Sequence, residues 1–229
     1  MYGAKDLKER IKVTEDTVEC PVRGCVLSVA RQRKVFKKKE EFKCPKHRIY
    51  ISPSTFEYED ALDNILWKTS DDCDLLFNKI AGAKLEMNRF ARDNSEDAVT
   101  WNVFRYMEKE DLLTGFLSEI AGFQVSKPEA IYWSYSQREQ GTWTSLRDMR
   151  EKFETKPKKG SEPDLIVQTE NALFFIEPKL TATNNTIPSS TDPLVREKYE
   201  SGCGSWYRSV FRSDFETVAI RERKYELLR

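Results

Sequence analysis

The sequence predicts a mixed α/β protein, an α+β sheet with helices packed on it, preceded by a small metal-bound module. Three observations carry this. Two tight pairs of metal-ligating residues, Cys20/Cys25 and Cys44/His47, lie within the first fifty positions. Apolar residues at helical spacing dominate the middle of the chain. Two β-favouring runs, Leu165 to Thr169 and Ala172 to Leu180, then flank Glu170-Asn171, which reads as a two-residue hairpin turn.

A chain of 229 residues holds one or two domains. With 39% hydrophobic residues it can bury a real core, and its zero net charge excludes a globally polybasic protein. The charge is local instead: Arg31 to Arg48 carries nine Lys/Arg against two Glu, offset by acidic runs such as Glu57 to Asp63. No window approaches the ~18 consecutive apolar residues of a membrane span. The start does not read as a signal peptide, so the five cysteines are expected reduced and the protein cytoplasmic, with no membrane partner.

The first element is the ligand set. Cys20 and Cys25 are separated by four residues, and Cys44 and His47, the only histidine, by two. Tetrahedral Zn²⁺ takes thiolates at about 2.3 Å and imidazole at about 2.0–2.1 Å, and short turns bring two ligands each into reach. Pro21, Pro45 and Gly24 supply turn chemistry. Val26 to Val29 and His47 to Ile51 read as short strands. The whole resembles a zinc ribbon with Cys20, Cys25, Cys44 and His47 as ligands to a structural zinc, expected over residues 1–54. The alternative is three scattered thiols and an ordinary histidine. Between the pairs, Arg31, Arg33, Lys34, Lys37, Lys38 and Lys39 are placed to ride on phosphates; the plain alternative is a solvated turn.

Residues 55–92 read as a helical connector, with Leu62, Ile65 and Leu66, then Leu75, Leu76 and Ile80, at three-to-four spacing. Cys73 among them reads as a buried thiol. Asp93-Asn94-Ser95 offers an N-cap, and Glu96-Asp97 suit the first turn of the helix that follows. Glu96 shares a stripe with Val99, Val103 and Met107, which predicts that it faces the sheet. Ala130 to Tyr135 reads as a strand. Ser136 to Lys159 reads as a charged loop whose Lys158 and Lys159 approach a substrate backbone. Trp133 and Trp143 are candidates for base stacking, although aromatics near strands are more often core. Thr181 to Pro193 is expected to be a loop or lid, Cys203 inert, and Asp214 to Arg229 a final helix.

The hairpin carries the chemistry. A two-residue turn at Glu170-Asn171 sets Asp164 opposite Glu177, side chains on one face about 4.5–5.5 Å apart. The pleat returns Lys179 to that face. Opposed carboxylates repel, and a divalent cation removes the conflict. Pro163-Asp164 and Glu177-Pro178-Lys179 resemble the motif of the PD-(D/E)xK nuclease superfamily. That resemblance implies a restriction-endonuclease-like αβββαβ core over residues 93–229, here lacking the last strand, as in a truncated chain. It implies Mg²⁺ held by Asp164, Glu177 and the Pro178 carbonyl, with Glu96 directly or through water. Lys179 would position the attacking water, and Lys37, Lys38, Lys39, Lys158 and Lys159 would meet DNA. The expected activity is Mg²⁺-dependent hydrolysis of DNA phosphodiesters, in restriction, phage defence or repair. Many relatives act as homodimers; RNA is not distinguished from DNA. The alternative is an inactive zinc-ribbon nucleic-acid-binding or assembly protein.

Overall fold

A computed structural model describes residues 1–33, 35–84, 89–153, 162–180, 187 and 212–223. Lys34, Lys158 and Lys159, Cys203 and nearly all of the expected loop at 181–193 lie outside these residues. The chain divides into two compact units, Met1–Asp74 with Asn88–Asp111, and Leu75–Met87 with Leu112–Arg229. The helix expected to open the catalytic domain belongs to the first unit.

The first unit begins with two small antiparallel sheets. Strands β1 (Thr17–Glu19) and β2 (Ser28–Ala30) pair antiparallel; β3 (Lys43–Cys44), β4 (Ile49–Ile51) and β5 (Phe56–Tyr58) form a second antiparallel sheet. Such short strands are not stable alone and depend on what they pack against. Val18, Val29, Ile49, Ile51, Phe56 and Tyr58 are buried together with the three ligand cysteines. Tyr2 stacks on Tyr58 at 5.8 Å, and its amide donates to the Tyr58 hydroxyl. Because β5 pairs with β4, the sheet that carries Cys44 continues past position 54, where a helical pattern was expected. Leu62 lies in a single 3₁₀ turn (Ala61–Asn64), and Leu66 is exposed.

The same unit holds α1 (Ser70–Cys73) and α3 (Glu96–Lys109); the π-helical run that continues α1 (Asp74–Ile80) and α2 (Ala81–Ala83) belong, from Leu75 on, to the second unit. Ser95 caps α3 as expected, its hydroxyl accepting from the Ala98 amide. The inward face is not the expected one. Ala98, Trp101 and Phe104 are buried, whereas Val103, on the Glu96 stripe, is 42% exposed. Both stripes have helical spacing; burying the large indole decides between them.

Asp72 is fully buried in this unit. It accepts from Thr69 Oγ1 at 2.6 Å and pairs with Arg105 at 2.7 Å and Lys109 at 2.8 Å. Burial opposes its charge, but the hydrogen bonds from Lys109, Thr69 and Arg105 outweigh it and hold the carboxyl below its ordinary 3.8. Removing one member of a buried charge cluster strands the others. Asp72→Asn is therefore expected to cost about 3–5 kcal/mol in urea unfolding. For the wild type, the lowered value means stability is present above the ordinary carboxylate range and lost as pH falls through the folded value. An unchanged unfolding midpoint in the variant would show the cluster to be energetically idle.

The second unit contains a five-stranded antiparallel sheet in the order β10-β9-β6-β7-β8. Its strands are β6 (Glu129–Tyr132), β7 (Tyr135–Ser136), β8 (Gly141–Thr142), β9 (Leu165–Gln168) and β10 (Leu173–Ile176). Helix α4 (Leu113–Ala121) buries Leu113 and Leu117 and ends at Gly122, whose left-handed φ of 71° suits a helix C-terminus. Two expectations are corrected. The strand read from Ala130 to Tyr135 is broken by a two-residue turn at Trp133-Ser134, with φ of 42° and 81°. Positive φ at both central positions is what a tight hairpin needs, and no Gly or Asn announces it here. The loop read from Ser136 holds β8 and α5 (Thr144–Phe153). Trp143 and Leu146 pack with Ile131 and Ile166. Towards the end of the chain a π-helical run, Glu216–Arg221, falls within the expected final helix. The architecture is a mixed α+β one, with antiparallel sheets and five α-helices among the described residues. Among those residues no helix is long and apolar enough to cross a membrane.

Candidate metal centre and carboxylate hairpin

Two turns build the Cys3His cluster. In the first, the Val22 amide donates to the Cys20 sulfur and the Leu27 amide to the Cys25 sulfur. Gly24, at φ 76°, lets the four-residue spacer close on itself, with the Cys25 amide bonded to the Val22 carbonyl. The second turn is closed by the Arg48 amide on the Cys44 carbonyl, and Arg48 takes φ 53°. His47 Nδ1 lies 3.5 Å from both Cys20 Sγ and Cys44 Sγ, and Cys25 Sγ lies 4.0 Å from Cys44 Sγ. All four ligand atoms fall within 4.8 Å of one another. A tetrahedron with bonds of about 2.3 Å has edges of about 3.8 Å, so the cluster has the size of a zinc site.

The electrostatics agree. Burial pushes the Cys20 thiol up, and the Cys44 and Cys25 sulfurs add to it. At Cys25 burial also opposes the thiolate, but the Leu27 amide, the Cys20 and Cys44 thiols and Lys46 hold it below its ordinary value. Burial, then Lys46 and Lys8, keep His47 below its own, which favours the neutral imidazole that ligates metal. The three sulfurs cannot all be anionic here without a cation between them. Three thiolates with a divalent ion leave one negative charge, and Lys8 and Lys46 stand nearby to balance it. Cys20, Cys25, Cys44 and His47 thus form a buried Cys3His cluster consistent with a zinc-binding module. It is the one group of three or more converging ligand side chains among the described residues.

The hairpin has the register its turn dictates. Leu173 pairs with Gln168 and Ile176 with Leu165, and the Thr169 amide on the Ala172 carbonyl closes the two-residue turn. The Thr169 hydroxyl accepts from the Ala172 amide and stiffens that turn. The ladder stops at Ile176–Leu165, so Asp164 and Glu177 are the next positions along the two strands. Lys179 Nζ lies 2.6 Å from Glu177 Oε1, and both residues are partly exposed. Pro178, with no amide hydrogen, stands two residues beyond the last ladder pair.

Three residues support the Asp164 segment, none of them in a role the sequence announces. The Trp133 amide donates to the Asp164 carbonyl at 3.3 Å, extending the β6–β9 pairing by one step. Next to it, the Ser134 hydroxyl donates to Glu162 Oε1 and accepts from Arg150, which is only 6% exposed. Ser134 and Arg150 thereby tie the Glu162-Pro163-Asp164 segment to β6 and α5. A buried arginine in a polar, charged run of sequence gives no advance notice of this role.

The remaining candidates are placed as follows. Glu96 sits in the first turn of α3 within the first unit, half-buried; its neighbour Asp97 accepts from the Arg89 amide. Lys38 pairs at 2.9 Å with the buried Glu57, which also holds Arg92. Lys39 lies 4.0 Å from Glu41, and Lys37 is exposed. Trp133 and Trp143 are 1% and 4% exposed, so both are core residues and neither offers a face to a base. No family model, no curated protein and no solved structure matches the chain.

Proposed function

We propose that the protein is a divalent-metal-dependent endonuclease acting on DNA, which also carries the Cys3His module as a structural zinc site. The observation that carries this is the hairpin register. It sets two carboxylates, Asp164 and Glu177, at the open end of one ladder, with the Lys179 ammonium 2.6 Å from Glu177. Hard oxygen donors of this kind suit Mg²⁺. Asp164, Glu177 and the Pro178 carbonyl, all in the second unit, would hold the ion. Bound there, Mg²⁺ supplies charge stabilisation on the phosphoryl oxygens and on the leaving oxygen.

The chain's own residues supply the rest. An ammonium has three donors and no acceptor, so Lys179 orients the attacking water rather than deprotonating it. Glu177 keeps that ammonium in place, and Ser134 and Arg150 keep the segment bearing Asp164 in place. A competing reading, a zinc-dependent nucleic-acid-binding or assembly protein without catalysis, draws on the Cys3His group being the one converging ligand cluster among the described residues.

Supercoiled plasmid incubated with Mg²⁺, Mn²⁺ or EDTA separates the two. The expected result is divalent-dependent nicking by the wild type that disappears in Glu177→Ala. Cutting that survives EDTA or the Glu177 substitution would remove this site from the reaction. No cutting under any condition would favour the binding protein.

A further inference from the structure

A cleft of about 670 Å³ in the first unit is lined by Glu15, Arg31, Arg33, Phe36, Ser54 and Arg92. This is within the usual range for small-ligand pockets. Its charge follows from the local chain path. Gln32 is buried, donating to the Ile51 carbonyl and accepting from the Lys37 amide. Strand-like alternation then turns both neighbours, Arg31 and Arg33, outward, and both are exposed.

Each guanidinium spends one nitrogen on a backbone carbonyl, Arg31 on Thr14 at 2.8 Å and Arg33 on Glu15 at 2.9 Å. That fixes the planar forks and leaves other donors on each for an anion. Arg33 also lies 3.7 Å from Asp16, but both side chains are largely exposed, so this pair competes weakly. Phe36 is half-buried with the Arg92 guanidinium 5.7 Å from its ring centre, and Arg92 in turn is held by Glu57. The two outward forks beside an aromatic ring match a phosphate followed by a base.

We propose that this cleft binds single-stranded DNA, with Arg31 and Arg33 on backbone phosphates and Phe36 under a base. The choice of DNA rests on the endonuclease reading; the cleft itself does not depend on catalysis. It also shifts the contact within the basic segment from the lysines to the arginines, since Lys38 is engaged by Glu57.

The test is fluorescence anisotropy of zinc-loaded, full-length protein with a labelled single-stranded oligonucleotide and the matching duplex, in Mg²⁺-free buffer. The double variant Arg31→Ala/Arg33→Ala should weaken single-strand binding about tenfold or more. It should also lower the salt slope by about 1.4, the value for two phosphate contacts at about 0.7 each. Phe36→Leu should weaken binding about fivefold or more without changing that slope. Arg10→Ala/Arg147→Ala, which removes the same charge elsewhere, should stay within about twofold of wild type. Arg31→Lys/Arg33→Lys keeps the charge and loses the fork, and should fall between. Equal losses in the cleft and control pairs, a preference for the duplex, or no binding by the wild type would each overturn the proposal. Binding lost in the cleft pair by a protein that never nicks plasmid would sustain the cleft and sink the nuclease. Nicking by a protein whose oligonucleotide binding ignores the cleft pair would do the reverse.

Discussion

Replacing Cys44 with serine, or stripping zinc with a chelator, is expected to unfold the ribbon. The reason lies in what the core of that module is made of. Cys20, Cys25 and Cys44 are buried among Val18, Val29, Ile49, Ile51, Phe56 and Tyr58, and the strands that carry them are two or three residues long. Such strands give little cooperative pairing, and a small apolar core seldom exceeds the conformational entropy it must offset. Zinc contributes apparent binding energies of about 10–16 kcal/mol in comparable sites, which is folding energy when no preformed site exists in the unfolded chain.

Elemental analysis should therefore give one zinc per chain for the wild type. After chelation, amide protection should collapse across residues 17–58 while β6 and β9 keep theirs. Cys73→Ser is the control, since Cys73 is half-buried and outside the ligand set. Its zinc content should not change, and its stability should move by less than about 1 kcal/mol. A zinc-free ribbon with undiminished protection would show that the apolar contacts suffice and that the cysteines merely fill space.

The parts of this structure that were legible in the sequence are those governed by short-range geometry. A two-residue turn permits one register, so the pairing of Leu165 with Ile176 followed from Glu170-Asn171 alone. An N-cap within Asp93-Asn94-Ser95 was legible because all three carry side-chain acceptors, and Ser95 takes the role. The two ligand pairs were legible for the same reason. The parts that were not legible were decided by packing. On α3, Val99 and Val103 compete with Ala98 and Trp101 for the inner face, and only the surrounding volume chooses. At Trp133-Ser134 the turn residues are the wrong types, and tertiary context holds them there. Arg150 is buried and donates to the Ser134 hydroxyl, a partner 16 residues away that no local pattern announces.

Asp164→Ala and Lys179→Ala should each lower plasmid cleavage by at least about 10²–10³-fold, as loss of a single group aimed at developing charge typically does. Single-strand binding should change less than about twofold, because neither residue lines the arginine cleft. The loss must also be separable from unfolding, and the site allows that. The Lys179–Glu177 pair is partly exposed, and such pairs contribute about 0–1 kcal/mol. The urea midpoint of Lys179→Ala should therefore stay close to wild type while turnover vanishes. Ser134→Ala works one step removed, since it removes the hydroxyl's bonds to Glu162 and Arg150 without touching either carboxylate of the hairpin. It should cost about tenfold or less in rate, and the deficit should shrink at high Mg²⁺ if its role is to hold Asp164 in place. Single-turnover nicking, anisotropy and urea titration on these variants together isolate the chemistry from binding and folding. Wild-type rates in either Asp164→Ala or Lys179→Ala would mean that the hairpin's opposed carboxylates serve something other than phosphodiester hydrolysis.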